Sequence, residues 1–481
     1  MSAATQQMNP IKFGTDGWRG AIADTYTFAN VRVVAQATAD YLHERSQAGD
    51  GLVVGFDMRF GSEFFAAATA EVLAANGVKV WLADRAAATP AVSYSILTHH
   101  AAGAAMITAS HNPWTDNGYK YKPEYAGSAD PATIAAIEER AGEVFGAGGV
   151  RREELTAALA AGRVERFDPA ATYLARLGQI VNVERLRESQ LKVVADPMFG
   201  SGMGYFPALL DGRNLRLREI RNVRNPYFGG VNPEPIAVNL GALISAVPEH
   251  GADLGLALDG DADRFGLVDE KGTFINQLLV YGLLIMYLLE KKGWRGPIVK
   301  SVSTTSMANR LGKRFGVEVI ETPVGFKYIG PEMRAHDAMI GGEESGGYAF
   351  RGHIPERDGT LAGLYTLEMR LAYDMPMSSI VERLQEMAGP SYYERIDERF
   401  PEERRTEVIG RFAGEHPKEI AGHPVANVQT IDGYKYFLDD GSWLLVRASG
   451  TEPLIRLYTE ASSPQLAKEI LSAGKQMAGL A

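Results

Sequence analysis

Short apolar runs alternate with longer amphipathic segments as far as about residue 390 of the chain. Residues 52–56, 103–107 and 254–258 have the length and composition of buried strands. Residues 30–45 and 62–76 instead carry apolar side chains at helical spacing. This alternation of strands and helices predicts α/β domains with mostly parallel, doubly wound sheets.

Glycine marks a recurring joint between a helix end and a strand, at Gly77, Gly251 and Gly316. This recurrence favours three similar α/β domains, which we place at residues 1–170, 171–272 and 273–389. The pattern then changes, and several short strand-like runs with two helical segments predict a smaller α+β domain over residues 390–481. The predicted fold class is therefore three α/β domains followed by a C-terminal α+β domain.

The bulk composition narrows the classes of function. A chain of 481 residues is too long for a single hydrophobic core, and its formal net charge of −10 argues against nucleic acid and anionic membranes as main partners. The absence of cysteine excludes disulfides, thiolate catalysis and cysteine-ligated metals. The first ten residues lack an apolar signal core, and the longest apolar segment, residues 278–289, is too short to span a bilayer and is typical of a buried helix. A cytoplasmic protein is therefore expected.

Ser110 is the first candidate for covalent chemistry, because it comes shortly after the predicted strand at residues 103–107 and precedes His111. Pro113 ends regular structure, and residues 114–118 are typical of a turn-rich loop. In open α/β sheets ligands bind at the carboxyl ends of the strands, where a serine can act as a nucleophile or covalent carrier. A local turn, in which the hydroxyl bonds neighbouring backbone, is the alternative.

Asp259, Asp261 and Asp263 follow the predicted strand at residues 254–258 at alternate positions. Three carboxylates this close repel one another unless a cation offsets them, and oxygen ligands suit Mg²⁺. A calcium-binding helix–loop–helix is less consistent, because Arg264 stands where that motif needs glycine. An acidic turn without a ligand is the remaining alternative.

Other glycine-rich segments carry side chains suited to sugars and phosphates. Glu343 and Ser345 lie among glycines and could bind the hydroxyl groups of a polyol, unless this turn has no function. Arg19 also lies between glycines and could present its guanidinium group to a phosphate. Lys327 follows a predicted strand and Gly325. For Arg19 and Lys327, a solvated surface position is the alternative.

A loop between two predicted C-terminal strands combines an arginine with hydroxyl and backbone N–H donors. Its members are Arg447, Ser449, Gly450 and Thr451. This combination forms a cradle for an anion, and it favours phosphate over a solvated turn.

Taken in order, five segments resemble the α-D-phosphohexomutase family over essentially the whole chain. They are residues 13–20, 108–113, 259–264, 342–347 and 447–453. The resemblance implies four domains around a central cleft, three of them α/β and the last α+β. It also implies an isomerase that interconverts hexose 1-phosphate and hexose 6-phosphate. The reaction would pass through a phosphoserine enzyme and a hexose 1,6-bisphosphate intermediate, which also serves as the priming cofactor.

The resemblance further implies a role for each candidate residue, with Ser110 as the phosphoserine. The implied ligands of Mg²⁺ are Ser110, Asp259, Asp261 and Asp263. The implied substrate-binding residues are Gly325, Lys327, Glu343, Ser345, Arg447, Ser449, Gly450 and Thr451. The implied catalytic residues are Ser110, Lys120, Arg19, His111, Arg264, His353 and Arg357.

The general acid/base is left open by the resemblance. Mannose- and glucosamine-type members often carry histidine where this sequence has Gly347, and phosphoglucomutases usually carry lysine in place of Arg357. Arginine stays protonated and is a poor proton carrier. The general acid/base is therefore not assigned, and its candidates are His353, Arg357 and Lys120.

The identity of the hexose is open as well. Residues 325–330 and 352–359 are most similar to phosphoglucomutases, so glucose phosphates are the expected substrates, with phosphomannomutase or phosphoglucosamine mutase activity as alternatives. Outside the mutases, the alternatives are a phosphoserine-based sugar phosphatase and a catalytically silent sugar-phosphate-binding protein. The expected partners are small hexose phosphates, without nucleic acid or membrane, and the expected assembly is a monomer or homodimer.

Overall fold

The computed structural model describes residues 9–14, 16–414, 416–448 and 453–480. Over these residues the chain forms four β-sheets in succession. The first three sheets have parallel strands at their centre, whereas the strand pairs of the fourth are antiparallel. The predicted succession of three α/β domains and a C-terminal α+β domain is thereby confirmed.

Domain I contains the first sheet. Its strands are β1 (Phe13–Gly14), β2 (Gly17–Ala21), β3 (Leu52–Phe56), β4 (Val80–Ala83), β5 (Gly103–Ile107), β6 (Asp116–Pro123) and β7 (Val164–Phe167). Its helices are α1 (Phe28–Glu44), α2 (Ser62–Ala75), α3 (Thr89–His99), α4 (Pro131–Ala147) and α5 (Leu155–Ala160). The strand order is β1-β2-β6-β5-β3-β4-β7, and β5, β3, β4 and β7 are parallel. The apolar strands β3 and β5 are buried along their whole length, as expected of central parallel strands.

Domain II contains the second sheet, with strand order β12-β11-β10-β8-β9. Its strands are β8 (Lys192–Asp196), β9 (Arg216–Glu219), β10 (Leu254–Leu258), β11 (Phe265–Asp269) and β12 (Phe274–Ile275). Its helices are α6 (Pro169–Ile180), α7 (Val183–Glu188), α8 (Tyr205–Leu210) and α9 (Gly241–Glu249). Strands β10, β8 and β9 are parallel, and β11 returns antiparallel to β10.

Domain III contains the third sheet, with strand order β14-β13-β15-β16. Its strands are β13 (Ile298–Ser301), β14 (Val319–Thr322), β15 (Ile340–Gly342) and β16 (Tyr348–Phe350). Its helices are α10 (Gln277–Glu290), α11 (Met307–Phe315), α12 (Phe326–Ala335), α13 (Gly359–Tyr373) and α14 (Met377–Ala388). Helix α10 is apolar on nearly every side and is buried, as predicted for residues 278–289. Its side chains join a hydrophobic core that continues into domain II.

Domain IV contains the antiparallel fourth sheet, with strand order β17-β22-β21-β20-β19-β18. Its strands are β17 (Tyr392–Arg399), β18 (Glu419–Ile420), β19 (His423–Gln429), β20 (Tyr434–Leu438), β21 (Trp443–Ala448) and β22 (Leu454–Ala461). Its helices are α15 (Arg405–Ala413) and α16 (Pro464–Ala478). These helices pack on the sheet around a separate small core.

A common feature links the four domains to the candidate site. In each domain one segment of the predicted active site joins two adjacent antiparallel strands: β5 and β6, β10 and β11, β15 and β16, or β21 and β22. The first three sheets are therefore mixed, because the strand that leaves each of these segments reverses direction.

Strand β6 begins at Asp116, inside the stretch predicted as a turn-rich loop at residues 114–118. The second half of that prediction is wrong, because residues 116–118 pair with β2. Pairing to β2 on one side and β5 on the other stabilises an extended conformation that the polar local sequence does not favour. The correction places Lys120 within a strand rather than beyond a loop.

Among the described residues, no helix combines the length and apolar character needed to cross a membrane.

Candidate active site

Ser110 lies just beyond β5, in the segment that leads to β6. Its backbone is left-handed, with φ of 51°, and its N–H donates to Thr108 Oγ1 at 2.8 Å. Its hydroxyl donates to Asp259 Oδ2 across the domain boundary at 2.9 Å, and the side chain is 1% exposed. The serine hydroxyl therefore faces the acidic segment of domain II rather than its own backbone.

Arg59 holds the Ser110 segment in this conformation. Its guanidinium donates within 3.0 Å to backbone carbonyl oxygens of Ser110, Asn112, Pro113 and Asp116. Arg59 is fully buried and forms an ion pair with Asp57 at 3.3 Å, while Asp57 accepts from Thr108 Oγ1 at 2.6 Å. Sequence reasoning missed this pair. A charged pair directly after the buried strand β3 was the available signal, since buried charges require specific partners.

Asp259, Asp261 and Asp263 lie in the turn between β10 and β11 and are fully buried. One carboxylate oxygen of each lies within 4.8 Å of the others. Burial, with the charges of Asp261 and Asp263, holds the pKa of Asp259 well above its usual range. Among the described residues, Asp261 Oδ1 and Asp263 Oδ1 have no hydrogen-bond partner. Buried, mutually repelling oxygens with free lone pairs fit a hard divalent cation, so the three aspartates could hold a metal ion.

Gly260 explains how the Ser110 segment approaches the aspartates so closely. A Cβ atom at this position would lie 2.5 Å from the carbonyl oxygen of Ser110. Any larger residue would therefore push the two segments apart and lengthen the bond from Ser110 to Asp259.

Lys120 on β6 binds carboxylates from two domains. Its Nζ lies 2.9 Å from Asp16, 3.0 Å from Asp261 and 3.3 Å from Asp263, and the side chain is 1% exposed. Burial lowers the pKa of Lys120, but the three carboxylates together raise it above its ordinary value. The ammonium group is therefore a permanent cation in this environment.

Arg357 adds domain III to the same network. Its guanidinium lies 2.9 Å from Asp263 and 3.2 Å from Glu343, and it also contacts Asp16. Its aliphatic stem covers Gly347, where a Cβ atom would lie 2.2 Å from Arg357 Cδ. The space that a side chain at position 347 would need is thus filled by Arg357.

Glu343 and Ser345 lie in the turn between β15 and β16. Ser345 Oγ donates to Glu343 Oε1 at 2.7 Å, and Glu343 is nearly buried whereas Ser345 is half-buried. Burial raises the pKa of Glu343, although Arg357 opposes this. The pair therefore offers a carboxylate and a hydroxyl beside the acidic network, and its predicted binding of sugar hydroxyls stays a prediction.

Arg19, His111 and Arg264 lie around the Ser110 segment. Arg19 Nη1 donates to Asn112 Oδ1 at 2.6 Å, and Arg264 Nη1 pairs with Glu234 at 3.2 Å. Burial, and then the charges of Arg264 and Arg19, hold the pKa of His111 well below its usual range. His111 is therefore neutral near pH 7, and of these three residues only the two arginines carry positive charge.

His353 lies in a different environment from the other catalytic candidates. Its ring packs against Tyr94 and Tyr173, with centroid distances of 5.7 and 6.1 Å. Its Nε2 lies 3.1 Å from Asp358, and the side chain is 1% exposed. These partners do not belong to the acidic network, so this position fits packing better than proton transfer.

The remaining substrate-binding candidates lie in domains III and IV. Gly325 has a φ of 123° and precedes α12, on which Lys327 lines a cavity of about 500 Å³ together with Lys12 and Phe13 of domain I. Arg447 lies near the end of β21 and pairs with Asp432 at 2.8 Å. The predicted phosphate ligands Ser449, Gly450 and Thr451 lie outside the described residues.

Comparison with known families accounts for each of the four domains. Residues 10–147, 171–272 and 277–387 match the models of phosphoglucomutase/phosphomannomutase α/β/α domains I, II and III. Residues 404–473 match the model of the C-terminal domain of the same family.

Individual relatives carry several substrate names. A phosphoglucomutase/phosphomannomutase of Thermococcus kodakarensis is 30% identical, over 96% of this chain and 97% of its own. A phosphoglucosamine mutase of Carboxydothermus hydrogenoformans is 31% identical, over 95% of this chain and 97% of its own. The crystal structure of a Thermus thermophilus protein named for phosphomannomutase activity superposes with a TM-score of 0.85 and 34% identity, covering 98% of this chain and 99% of that one. The chain therefore belongs to the phosphoglucomutase/phosphomannomutase family of phosphohexomutases, which are isomerases that transfer a phosphoryl group.

Proposed function

We propose that this enzyme interconverts glucose 1-phosphate and glucose 6-phosphate through a phosphoserine at Ser110. The observation that carries the proposal is the 2.9 Å bond from Ser110 Oγ to Asp259 within the buried group of three aspartates. A phosphoryl group on this oxygen would lie beside a turn with three fully buried carboxylates. Such a placement is useful to an enzyme only where cations neutralise the charge, as phosphoryl transfer requires.

Asp259, Asp261 and Asp263 are the residues that would hold Mg²⁺, together with the phosphate on Ser110. The bound ion would neutralise charge on the transferred phosphoryl group. Lys120 and Arg357 would fix the orientation of the aspartates, because each bridges one or two of them to Asp16.

The reaction has two transfers in opposite directions. The phosphoryl group leaves Ser110 Oγ for one hydroxyl of the hexose monophosphate, which gives a hexose 1,6-bisphosphate. The bisphosphate then turns around, and its other phosphoryl group returns to Ser110 Oγ. Arg447 is proposed to bind the phosphate that is not being transferred, and Glu343 with Ser345 to bind sugar hydroxyls. Catalysis on this scheme is mostly positioning and charge stabilisation.

The proton of the attacking hydroxyl must leave during each transfer. Arg357 is a fixed cation that cannot carry it, and the contacts of His353 lie outside the acidic network. Lys120 is protonated beside its three carboxylates, so it cannot accept the proton either. The proposal therefore assigns Lys120 and Arg357 to holding the aspartates in place, and over each transfer the proton passes on balance to the oxygen that the phosphoryl group leaves.

Steady-state kinetics of the purified enzyme test the proposal. With Mg²⁺ and glucose 1,6-bisphosphate as primer, kcat/KM should be higher for glucose 1-phosphate than for mannose 1-phosphate or glucosamine 1-phosphate. A strong preference for the glucosamine substrate would overturn the choice of hexose. The variant Ser110→Ala should lose nearly all turnover, and intact-mass measurement of the untreated protein should show phosphate on the wild type alone.

The same assays separate the alternatives outside the mutases. A sugar phosphatase would release inorganic phosphate at the rate at which substrate disappears. A silent binding protein would show no turnover with metal ion and primer present. The buried position of Ser110, which is 1% exposed, disfavours attack by bulk water and so favours the mutase.

A further inference from the structure

Asp432 lies in the turn between β19 and β20 and joins two domains through a single oxygen atom. Its Oδ2 accepts from Arg447 Nη2 at 2.8 Å and from the backbone N–H of Val324 at 2.9 Å. Arg447 lies on β21 of domain IV, whereas Val324 directly precedes Gly325 in domain III. One carboxylate therefore contacts both the proposed phosphate ligand and the turn that begins α12.

Gly433 permits this arrangement. Its φ is 91°, and a Cβ atom there would lie 2.3 Å from the carbonyl oxygen of Val446 and 2.8 Å from Arg447 Cγ. The turn can therefore press against β21 only if residue 433 has no side chain. Gly433 thus lets the turn pack closely against β21, and Asp432 in the same turn binds the guanidinium of Arg447.

Arg447 is held on one side and open on another. Besides the pair with Asp432, its Nη1 contacts the hydroxyl of Tyr458 at 3.4 Å, and its side chain is 15% exposed. Within the part of the chain that the structure describes, its buried Nε–H has no hydrogen-bond acceptor. A buried guanidinium N–H with no acceptor is a donor available to an anion.

Other bonds fix the same boundary between domains III and IV without touching Arg447. Lys435 Nζ donates to the carbonyl oxygen of Val302 at 2.6 Å and pairs with Glu321 at 3.0 Å. Glu460 of β22 accepts from the backbone N–H of Ser306 at 2.7 Å. These bonds can maintain the packing of the two domains if Asp432 loses its charge.

We propose that Asp432 is a positioning residue that orients Arg447 toward the non-transferred phosphate of the substrate and ties that orientation to the Gly325 turn of domain III. This inference rests on the proposed function, since it takes Arg447 as a phosphate ligand. Asparagine at position 432 keeps an oxygen for the N–H of Val324 but removes the negative charge beside Arg447. The variant therefore separates the interaction with the arginine from the bond to the backbone.

The test compares steady-state kinetics of Asp432→Asn, Arg447→Met and the double variant, with glucose 1-phosphate, Mg²⁺ and primer. Asp432→Asn should raise KM about tenfold, the effect of losing one charge-assisted hydrogen bond, and change kcat less than about threefold. Asp440→Asn is the matched control, because Asp440 accepts locally from Ser442 in the next turn, and it should match the wild type. In the Arg447→Met background, Asp432→Asn should have no further effect on KM.

Two results would overturn the inference while leaving the proposed function intact. They are an unchanged KM in Asp432→Asn, and effects of Asp432→Asn and Arg447→Met that simply add. A wild-type enzyme that does not isomerise hexose phosphates would instead overturn the proposed function itself. If Asp432→Asn failed to fold, Asp432→Glu would be compared with Arg447→Met and the double variant instead. Glutamate keeps the negative charge but displaces it, and additive effects would again overturn the inference.

Discussion

Gly347→Ala is the substitution that tests the packing of the candidate site most directly. The new methyl carbon would lie 2.2 Å from Arg357 Cδ and 2.6 Å from its Cγ. Carbon atoms in ordinary van der Waals contact are about 3.5 Å apart, so the arginine stem must move by more than about 1 Å. The clashing atoms belong to the middle of the side chain, and its far end is fixed by Asp263 and Glu343. Relief of the clash therefore displaces the guanidinium.

The expected magnitude follows from that displacement. Overpacking of a filled site costs about 1–3 kcal/mol, and a displacement of about 1 Å in a positioned group reduces rates by roughly 100-fold. Gly347→Ala should therefore lower kcat/KM for glucose 1-phosphate by about 100-fold and lower the melting temperature by several degrees. Gly178→Ala is the matched control, because Gly178 is exposed on α6 and a methyl carbon added there would have no atom within 4 Å. The control should be neutral or slightly stabilising.

The double variant Gly347→Ala with Arg357→Ala provides the decisive comparison. If the methyl group acts through the arginine stem, adding Gly347→Ala to Arg357→Ala should lower the melting temperature and kcat/KM no further. Wild-type values of kcat/KM and melting temperature in Gly347→Ala alone would refute the reasoning. So would equal, additive losses in both backgrounds.

Three other predictions test the metal site, the Ser110 segment and the boundary between domains III and IV. Asp261→Asn should raise the Mg²⁺ concentration for half-maximal rate by about tenfold or more and lower kcat, and a rate independent of metal ion would contradict this. Arg59→Met should lower kcat by about 100-fold, because the Ser110 segment loses the guanidinium that binds its carbonyl oxygens, and a wild-type kcat would contradict it. Burial and the charge of Lys300 lower the pKa of Lys435 to about 7, against about 10.4 in an unfolded chain. Unfolding between these pH values takes up a proton, so the melting temperature should rise from pH 7 to pH 10. This rise should be smaller in Lys435→Met, and an identical pH profile would show that Lys435 does not cause it.

Local sequence patterns were sufficient for the domain architecture and for the segments that carry Ser110 and the three aspartates. Each of these segments follows a short apolar run whose buried strand is evident from composition alone, as at β5 and β10. The turn chemistry is equally local, because three carboxylates at alternate positions repel one another and favour a cation whichever fold surrounds them. These features require no knowledge of which segments meet in three dimensions.

The partners of these segments could not be predicted in the same way. Asp16 and Arg357 are 341 residues apart, yet they contact each other within the acidic network. Arg59 is 51 residues from Ser110, and its role depends on carbonyl groups, which every residue carries and no sequence pattern distinguishes. Long-range pairing of this kind is decided by tertiary packing, so the sequence indicates the charged residues but not their partners.

The repeated hairpins give a physical reason for the composition of the network. Two turns from different domains bring the carboxylates of Asp261, Asp263 and Glu343 into a small buried volume. Lys120 and Arg357 offset part of that charge, and each contacts carboxylates of more than one domain. Loss of either cation would leave buried carboxylates unpaired, which typically costs about 3–5 kcal/mol for a buried pair. The same two cations therefore hold the domains together and leave the acidic turn able to take a divalent ion, so stability and the proposed catalysis depend on the same contacts.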